Sequence, residues 1–271
     1  KRERIEPGGI LVRISSSHIR IGTFEFFRAR KDFVSVKKLA DYTIKRHFPE
    51  ILSSKNKYKL FLDKTIQSQA KLVAQWMNVG FIHGVMNTDN TSISGQTIDY
   101  GPCAFMNNFD PNTVYSFIDV YGRYSYGNQP KIMLWNLSKF AECISFLINE
   151  NNEKANKIII NSLSKFSQLF DKFWIKAISE KLGLFENMKE NRNLIEKFLE
   201  IMFEQKTDFT LTFRKLSESL ENQEKKLKFF SLFKNEKHLT NWYNNWTERL
   251  EKEKYSKEKI AEKMKNKNPL F

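Results

Sequence analysis

Apolar residues recur along most of this chain at helical spacing. The clearest run is 57–79, where Leu62, Ile66, Val73 and Met77 fall on one face near a 3.6-residue period and Gly80 stands where a helix is commonly closed. A second helix is predicted from Val34 to Glu50, through LADYTIKRHF, with Pro49 marking its end. Pro130 opens a third, whose buried stripe is Leu137, Ala141, Ile144 and Ile148. Beyond Asn151 the pattern predicts helices only, near 153–181, 190–205, 212–233, 239–250 and 256–265. Strand-like stretches are short: ILVRI at 10–14, the β-branched stretch around Ile93, and QTIDYG, which ends in Asp99-Tyr100-Gly101. Ser15 to Ser17 are available to cap a helix beginning after ILVRI. Residues 102–130, rich in Asn, Pro, Gly and Tyr, read as a long irregular segment. The expectation is a mainly α chain with a few short strands, with a lobe over 1–150 that carries the chemistry and a helical extension over 151–271 packed on the same lobe.

Composition supports this and narrows the partners. A chain of 271 residues, 41% hydrophobic and 14% aromatic, can bury the core of one large domain or two unequal lobes. Twenty-four Phe against ten Gly and six Pro favour helices over strand-and-turn folds. A formal charge of +14 raises the local concentration of phosphate-bearing partners, which include nucleotides, nucleic acid and acidic lipid. The lysines are spread, however, and from Glu221 onward are interleaved with Glu at helical spacing, as on a solvated helix surface. Neither a nucleic-acid nor a membrane partner is expected.

Cys103 and Cys143 stand in no CxxC or CxxH spacing, which excludes a structural zinc site and argues against a disulfide framework. No apolar run reaches the roughly 18 residues that span a bilayer, and KRERIEPGG lacks the apolar stretch of a signal peptide. These features predict a soluble, intracellular protein, cytoplasmic or, in a eukaryote, mitochondrial. The chain begins with Lys1 and ends on the apolar pair Leu270 and Phe271 after a helical stretch, so it is expected to be part of a longer protein.

The candidate chemistry lies in HGVMNTDN (83–90) and IDYG (98–101). A loop after a long helix offers Asp89 and Asn90, and Asp99 follows a short strand, an arrangement expected to put three oxygen-donating side chains near one point. Oxygen donors of this kind suit Mg²⁺ or Mn²⁺ held with the help of substrate phosphates. Gly101 is expected to let the backbone turn sharply after Asp99. The layout resembles the protein-kinase pair of a catalytic loop H-R-D-x-x-x-x-N and a D-F-G. On that pattern His83 matches the His, Asn90 matches the Asn, and Val85 falls where the catalytic Asp belongs. Val can neither accept a proton nor orient a hydroxyl, and Asp89 is the nearest carboxylate. Plainer readings remain open: Asp-Tyr-Gly as a turn, His83 as a structural histidine, and Asp89-Asn90 as a cap for the following turn.

Taken together, HGVMNTDN, IDYGP, GRYSYGNQP (122–130) leading into MLWNLSKFAE, PGGILVRISSSHIRIGTFEFF (7–27), LADYTIKRHFPEI (39–51), TDFTLTFRKLS (207–217) and MKNKNP (264–269) resemble the selenoprotein O family. The resemblance covers nearly the whole chain. It implies a protein-kinase-like fold, with this chain supplying the C-lobe and its helical extension. It further implies a protein adenylyltransferase that moves AMP from ATP to Ser, Thr or Tyr hydroxyls, with the α-phosphorus facing the acceptor. By resemblance Asp89 is the proton acceptor, Asn90 and Asp99 hold Mg²⁺ or Mn²⁺, Asp99 also reaches the nucleotide, and Arg13 and Arg20 bind phosphate. The family's glycine-rich loop, nucleotide-binding lysine and paired acid lie amino-terminal to this sequence, and a redox-active residue beyond MKNKNP, found in many members, is not within it. Cys103 occupies a position where some members carry a redox-sensing thiol, and here it reads as an ordinary thiol. Cys143 reads as core. The competing class is a non-enzymatic pseudokinase that binds nucleotide or serves as an interaction module.

Overall fold

The computed structural model describes residues 8–10, 12–186 and 188–270. Leu11, within the expected strand, and Phe271, at the apolar chain end, lie outside the described residues. Eleven helices and two short strands are seen among the rest. In chain order they are α1 (Ile21–Ala29), α2 (Phe33–His47), α3 (Lys57–Asn78), β1 (Phe81–Ile82), β2 (Ala104–Phe105), α4 (Gln129–Ile148), α5 (Asn152–Leu163) and α6 (Lys165–Lys181), followed by α7 (Arg192–Gln205), α8 (Phe209–Glu218), α9 (Gln223–Phe230), α10 (Glu236–Leu250) and α11 (Lys257–Lys267). The mainly α expectation holds.

The predicted stripes are the buried ones. Leu62, Ile66, Val73 and Met77 of α3 are buried, as are Leu137, Ala141 and Ile144 of α4, while Ile148 at the end of that stripe is half-buried against the core. Burying a Leu or Ile side chain fully contributes about 1.5–3 kcal/mol, so each stripe anchors its helix. Phe24, Phe61 and Phe140 meet where α1, α3 and α4 converge, with ring centroids 5.1–6.2 Å apart. The carboxy-terminal helices gather around a second aromatic group. Phe198 stacks on Trp242 at 4.0 Å, and the indole N–H of Trp246 donates to the Leu182 carbonyl at 2.8 Å. Both groups belong to one continuous hydrophobic core. No helix among the described residues is long and apolar enough to cross a membrane.

Several boundaries differ from the sequence reading, each for a local reason. Residues 10 and 12–14 form no strand, and neither do the stretches around Ile93 and at 96–101. The ladder is instead β1 against β2, antiparallel, with Phe81 opposite Phe105 and Ile82 opposite Ala104. A two-residue ladder carries no period that a sequence window could register. Ser15 to Ser17 do not cap α1, which follows Arg20. The predicted helix 34–50 stops at His47, and Pro49 starts a separate 3-10 turn to Ile51. The predicted helix 153–181 breaks at Ser164 between α5 and α6, and 212–233 breaks at 219–222, where Asn222 caps α9 through Lys225 N–H at 2.9 Å.

Lys181 closes α6 in an unusual way. It is buried, its Nζ donates to the Asn78 carbonyl at the end of α3 at 2.8 Å, and it lies over the rings of Phe213 and Phe209 at 4.2 and 4.7 Å. Burial pushes its pKa down to about 7, against about 10.4 for a lysine in the unfolded chain. The unfolded state therefore binds more protons between these values, and this group makes folding stability rise with pH above about 7 and level off near 10. Urea unfolding at pH 6.5, 7.5 and 8.5 should show this rise, and Lys181→Met should flatten it. An unchanged slope in the variant would assign the pH dependence to other groups.

Candidate functional site

The end of α3 delivers the chain through Gly80 (φ +69°) into β1 and then into the loop 83–90. A side chain at position 80 would meet the Phe209 ring at 2.9 Å, so glycine serves both the backbone sign and the packing. Between β1 and β2 nearly all the backbone is irregular, and its polar groups must find partners elsewhere. Buried side chains supply them. Gln129 donates to the Phe81 carbonyl at 3.0 Å and accepts from the His83 N–H at 3.1 Å. Asn136 donates to the Met86 carbonyl at 3.0 Å and to the Thr91 hydroxyl at 2.9 Å. Gln69 donates to the Ser92 carbonyl at 2.6 Å. All three residues are wholly buried.

His83 joins the two acid-bearing loops. Its Nε2–H donates to the Ile98 carbonyl at 2.8 Å, directly before Asp99. Burial lowers its pKa, opposed by that hydrogen bond and by the Asp99 charge. His83 is thus held neutral in a structural position, the plainer of the readings open to it. Gly84 (φ +82°) packs on Pro102, where an added Cβ would stand 2.9 Å from the Pro102 carbonyl oxygen. The kinase-like pair of loops is therefore in contact at residues 83–84 with 98 and 102.

Asn90 donates through Nδ2 to the Val85 carbonyl at 3.1 Å, while its Oδ1 is buried without a hydrogen-bond partner among the described residues. An orphaned amide oxygen next to a carboxylate-bearing loop is an available hard donor. Asp99 is exposed and adopts φ +57°, a left-handed conformation that a non-glycine residue takes at some cost. The backbone bends at Gly101 and Pro102, as expected after Asp99, and a Cβ on Gly101 would meet nothing within 4 Å; the left-handed conformation falls on Asp99 and not on Gly101, whose N–H donates to the Asp99 carbonyl at 2.9 Å across Tyr100. Asp and Asn tolerate this region better than other side chains, which explains an Asp at this position.

Asp89 is exposed on the 3-10 turn Thr88–Asn90, and its backbone rests against Gly22 of α1, where an added Cβ would come within 3.0 Å. Thr88 Oγ1 also hydrogen-bonds Glu25 of α1. The segment before α1 pairs with the chain after Asn90: Ile21 N–H donates to Thr91 at 3.0 Å, Ile93 N–H to Ile19 at 2.9 Å, and Arg20 opposes Ser92. Ser15 and Ser16 hydrogen-bond the Gln96 side chain at 2.8–2.9 Å. In this way the segment carrying Arg13 and Arg20 is laid along the loop that leads to Asp99.

The result is a cavity of about 400 Å³ lined by Arg13, Arg20 and Asp99, together with His18, Thr97 and Tyr100. Three of the five expected site residues therefore share one cavity; Asp89 and Asn90 stand outside its lining. Among the described residues neither arginine pairs with a carboxylate, so their donors remain available to a ligand. No group of three His, Cys, Asp or Glu side chains among the described residues could hold a metal by itself. Asp99, exposed on the cavity, and the buried Oδ1 of Asn90, outside its lining, are each an oxygen donor of the kind that Mg²⁺ takes alongside waters and phosphate. Cys103 is half-buried and Cys143 buried, with burial pushing the Cys143 thiol up to about 12.

Sequence reasoning missed His18, Tyr100 and the three buried amides. Gln69 stands three residues after Ile66 and four before Val73, and Asn136 four after Ile132 and four before Phe140. A polar amide on an apolar stripe was the available signal.

A helical body with two acid-bearing loops drawn together beside an arginine-lined cavity defines a chain built around a polar, anion-compatible site. It belongs to the Protein adenylyltransferase SelO family, whose model matches residues 2–271. It is 49% identical over 269 residues to the Protein nucleotidyltransferase YdiU of Bacillus cereus (strain B4264), and equally to that of Bacillus thuringiensis (strain Al Hakam). The YdiU of Bacillus mycoides (strain KBAB4) is 48% identical over 270 residues. These alignments take in 99–100% of this chain and 54% of each relative, so the chain spans about half the length of the curated relatives it matches. The family resemblance read from the motifs is thus the family found.

The buried amide framework has a direct consequence. Asn136→Ala leaves the Met86 carbonyl and Thr91 hydroxyl without their donor and should lower the unfolding free energy by about 2 kcal/mol in urea titration. A loss below about 0.5 kcal/mol would mean that the loop does not depend on this amide.

Proposed function

We propose that this chain forms part of a protein adenylyltransferase, a nucleotidyltransferase that moves AMP from ATP onto Ser, Thr or Tyr hydroxyls of other proteins. The observation that carries the proposal is the convergence of Arg13, Arg20 and Asp99 on one cavity, in a chain whose Asn90 oxygen is buried and unpartnered among the described residues. Family membership and the names of the relatives support the reaction class.

In this reading Arg13 and Arg20 bind the phosphates, for which planar guanidinium forks are suited. Asn90 and Asp99 would hold Mg²⁺ or Mn²⁺, which when bound neutralises phosphate charge as it develops during transfer. Asp89, exposed and backed by Gly22, takes the proton from the acceptor hydroxyl. The hydroxyl oxygen attacks the α-phosphorus, the bond from that phosphorus to the bridging oxygen of the β-phosphate breaks, and pyrophosphate leaves. Val85, standing where a kinase carries its carboxylate, offers no base for the γ-transfer geometry, which favours α over γ chemistry. The setting proposed for the reaction is the cytoplasm.

Full-length protein supplied with ATP labelled separately at the α and γ phosphates should transfer only the α label to protein, and Asp89→Ala should reduce that transfer roughly 10²- to 10⁴-fold. Transfer of the γ label would return the chain to ordinary kinases. Transfer of neither would favour a non-enzymatic pseudokinase.

A further inference from the structure

Arg13 sits on a poorly anchored stretch. Among the described residues, the hydrogen bonds tying its segment to the body begin at Ser15, and the neighbouring Ile14 is 96% exposed. A free arginine here would sample many rotamers and lose that freedom on binding a ligand. One contact limits it: the guanidinium carbon lies 4.8 Å from the centroid of the Tyr100 ring. Tyr100 is itself 44% exposed, and its ring meets Phe81 of β1 at 6.5 Å in an edge-on arrangement. It follows Asp99 directly, so the left-handed turn at Asp99 also sets where this ring stands.

The chemistry of the contact matters more than its strength. A cation–π contact holds a guanidinium through its charge and requires none of its five N–H donors to be accepted by an oxygen. A carboxylate partner would orient Arg13 equally well but would consume those donors and cancel the charge. An aromatic partner orients the cation and leaves both free for an anion entering the cavity that Arg13, Tyr100, Arg20 and Asp99 line together.

We propose that Tyr100 is a positioning residue for nucleotide binding, its ring holding the Arg13 guanidinium at the cavity so that a triphosphate meets a pre-oriented cation. This rests on the reading of the cavity as the phosphate site. Tyr100 touches no reacting atom, and its effect runs through Arg13.

The test is a double-mutant cycle in the full-length protein, with ATP and adenosine binding measured by calorimetry in the presence of Mn²⁺. Tyr100→Leu should weaken ATP about 3- to 10-fold with adenosine unaffected. Tyr100→Phe, which keeps the ring, should bind ATP as the parent does. In an Arg13→Gln background, Tyr100→Leu should add no further loss. If Tyr100→Leu fails to fold, Tyr100→Met replaces it, and melting temperatures of all variants separate binding from stability. Tyr100→Leu binding ATP as tightly as the parent while Arg13→Gln binds more weakly would overturn the positioning role and leave the cavity reading standing. Equal losses for ATP and adenosine, or additive losses in the cycle, would also overturn it. Unchanged ATP binding by Arg13→Gln would remove the phosphate assignment of Arg13 and this inference with it.

Discussion

The candidate site depends on a requirement of main-chain hydrogen bonding. Between β1 and β2 the chain runs through the molecule with almost no ladder of its own, and carbonyls at Phe81, Met86 and Ser92 are met by the buried amides Gln129, Asn136 and Gln69. Leaving such groups unpaired away from water costs about 1–3 kcal/mol each, so a loop laid against these amides has few alternatives of comparable energy. The same amides sit on α3 and α4, the two longest helices. Core packing therefore fixes the donors, and the donors fix the loop.

From that loop the polar features of the site emerge in chain order. His83, held neutral by burial, ties its own loop to Ile98 and so sets the place of Asp99. The left-handed backbone at Asp99 is a local cost that the surrounding contacts sustain, and such costs concentrate where geometry serves a ligand. Asn90 donates its amide N–H to Val85, and its buried oxygen has no hydrogen-bond partner among the described residues. Arg13 and Arg20 are brought to the same region by pairing of the segment before α1 with residues 91–96. Two arginines that pair with no carboxylate among the described residues, lining one cavity with Asp99, suit a polyanion accompanied by a divalent ion.

How much of this is legible in the sequence depends on the scale of the pattern. Long helices announce themselves through a repeated period, and α3 and α4 lie within a residue or so of the expected bounds. The strands are not legible, because a two-residue ladder is chosen by tertiary context, and ILVRI alternates without pairing among the described residues. The breaks at Ser164 and near Asn222 occur at polar residues that a periodicity window passes over. At the site, the motif HGVMNTDN with IDYG locates the acidic loops, since both carry rare residues at fixed spacing. The amides that hold them are less visible, because Gln and Asn within a helix read as surface until their position on the apolar stripe is counted. The glycine in IDYG announces the bend at Gly101, whereas nothing in the sequence announces the left-handed φ of Asp99 two residues earlier.

The central claim is that Asn90 and Asp99 act as one divalent-ion site joined to the arginine-lined cavity. Paramagnetic broadening by Mn²⁺ in the presence of ATP, read from nitrogen-labelled full-length protein, tests it most directly. The account predicts selective loss of the Asn90 side-chain amide signal and of the backbone signals from Asp99 to Gly101, with the Trp242 and Trp246 indole signals retained, and loss of this effect in Asp99→Ala. Broadening centred elsewhere, or persisting unchanged in Asp99→Ala, would contradict it.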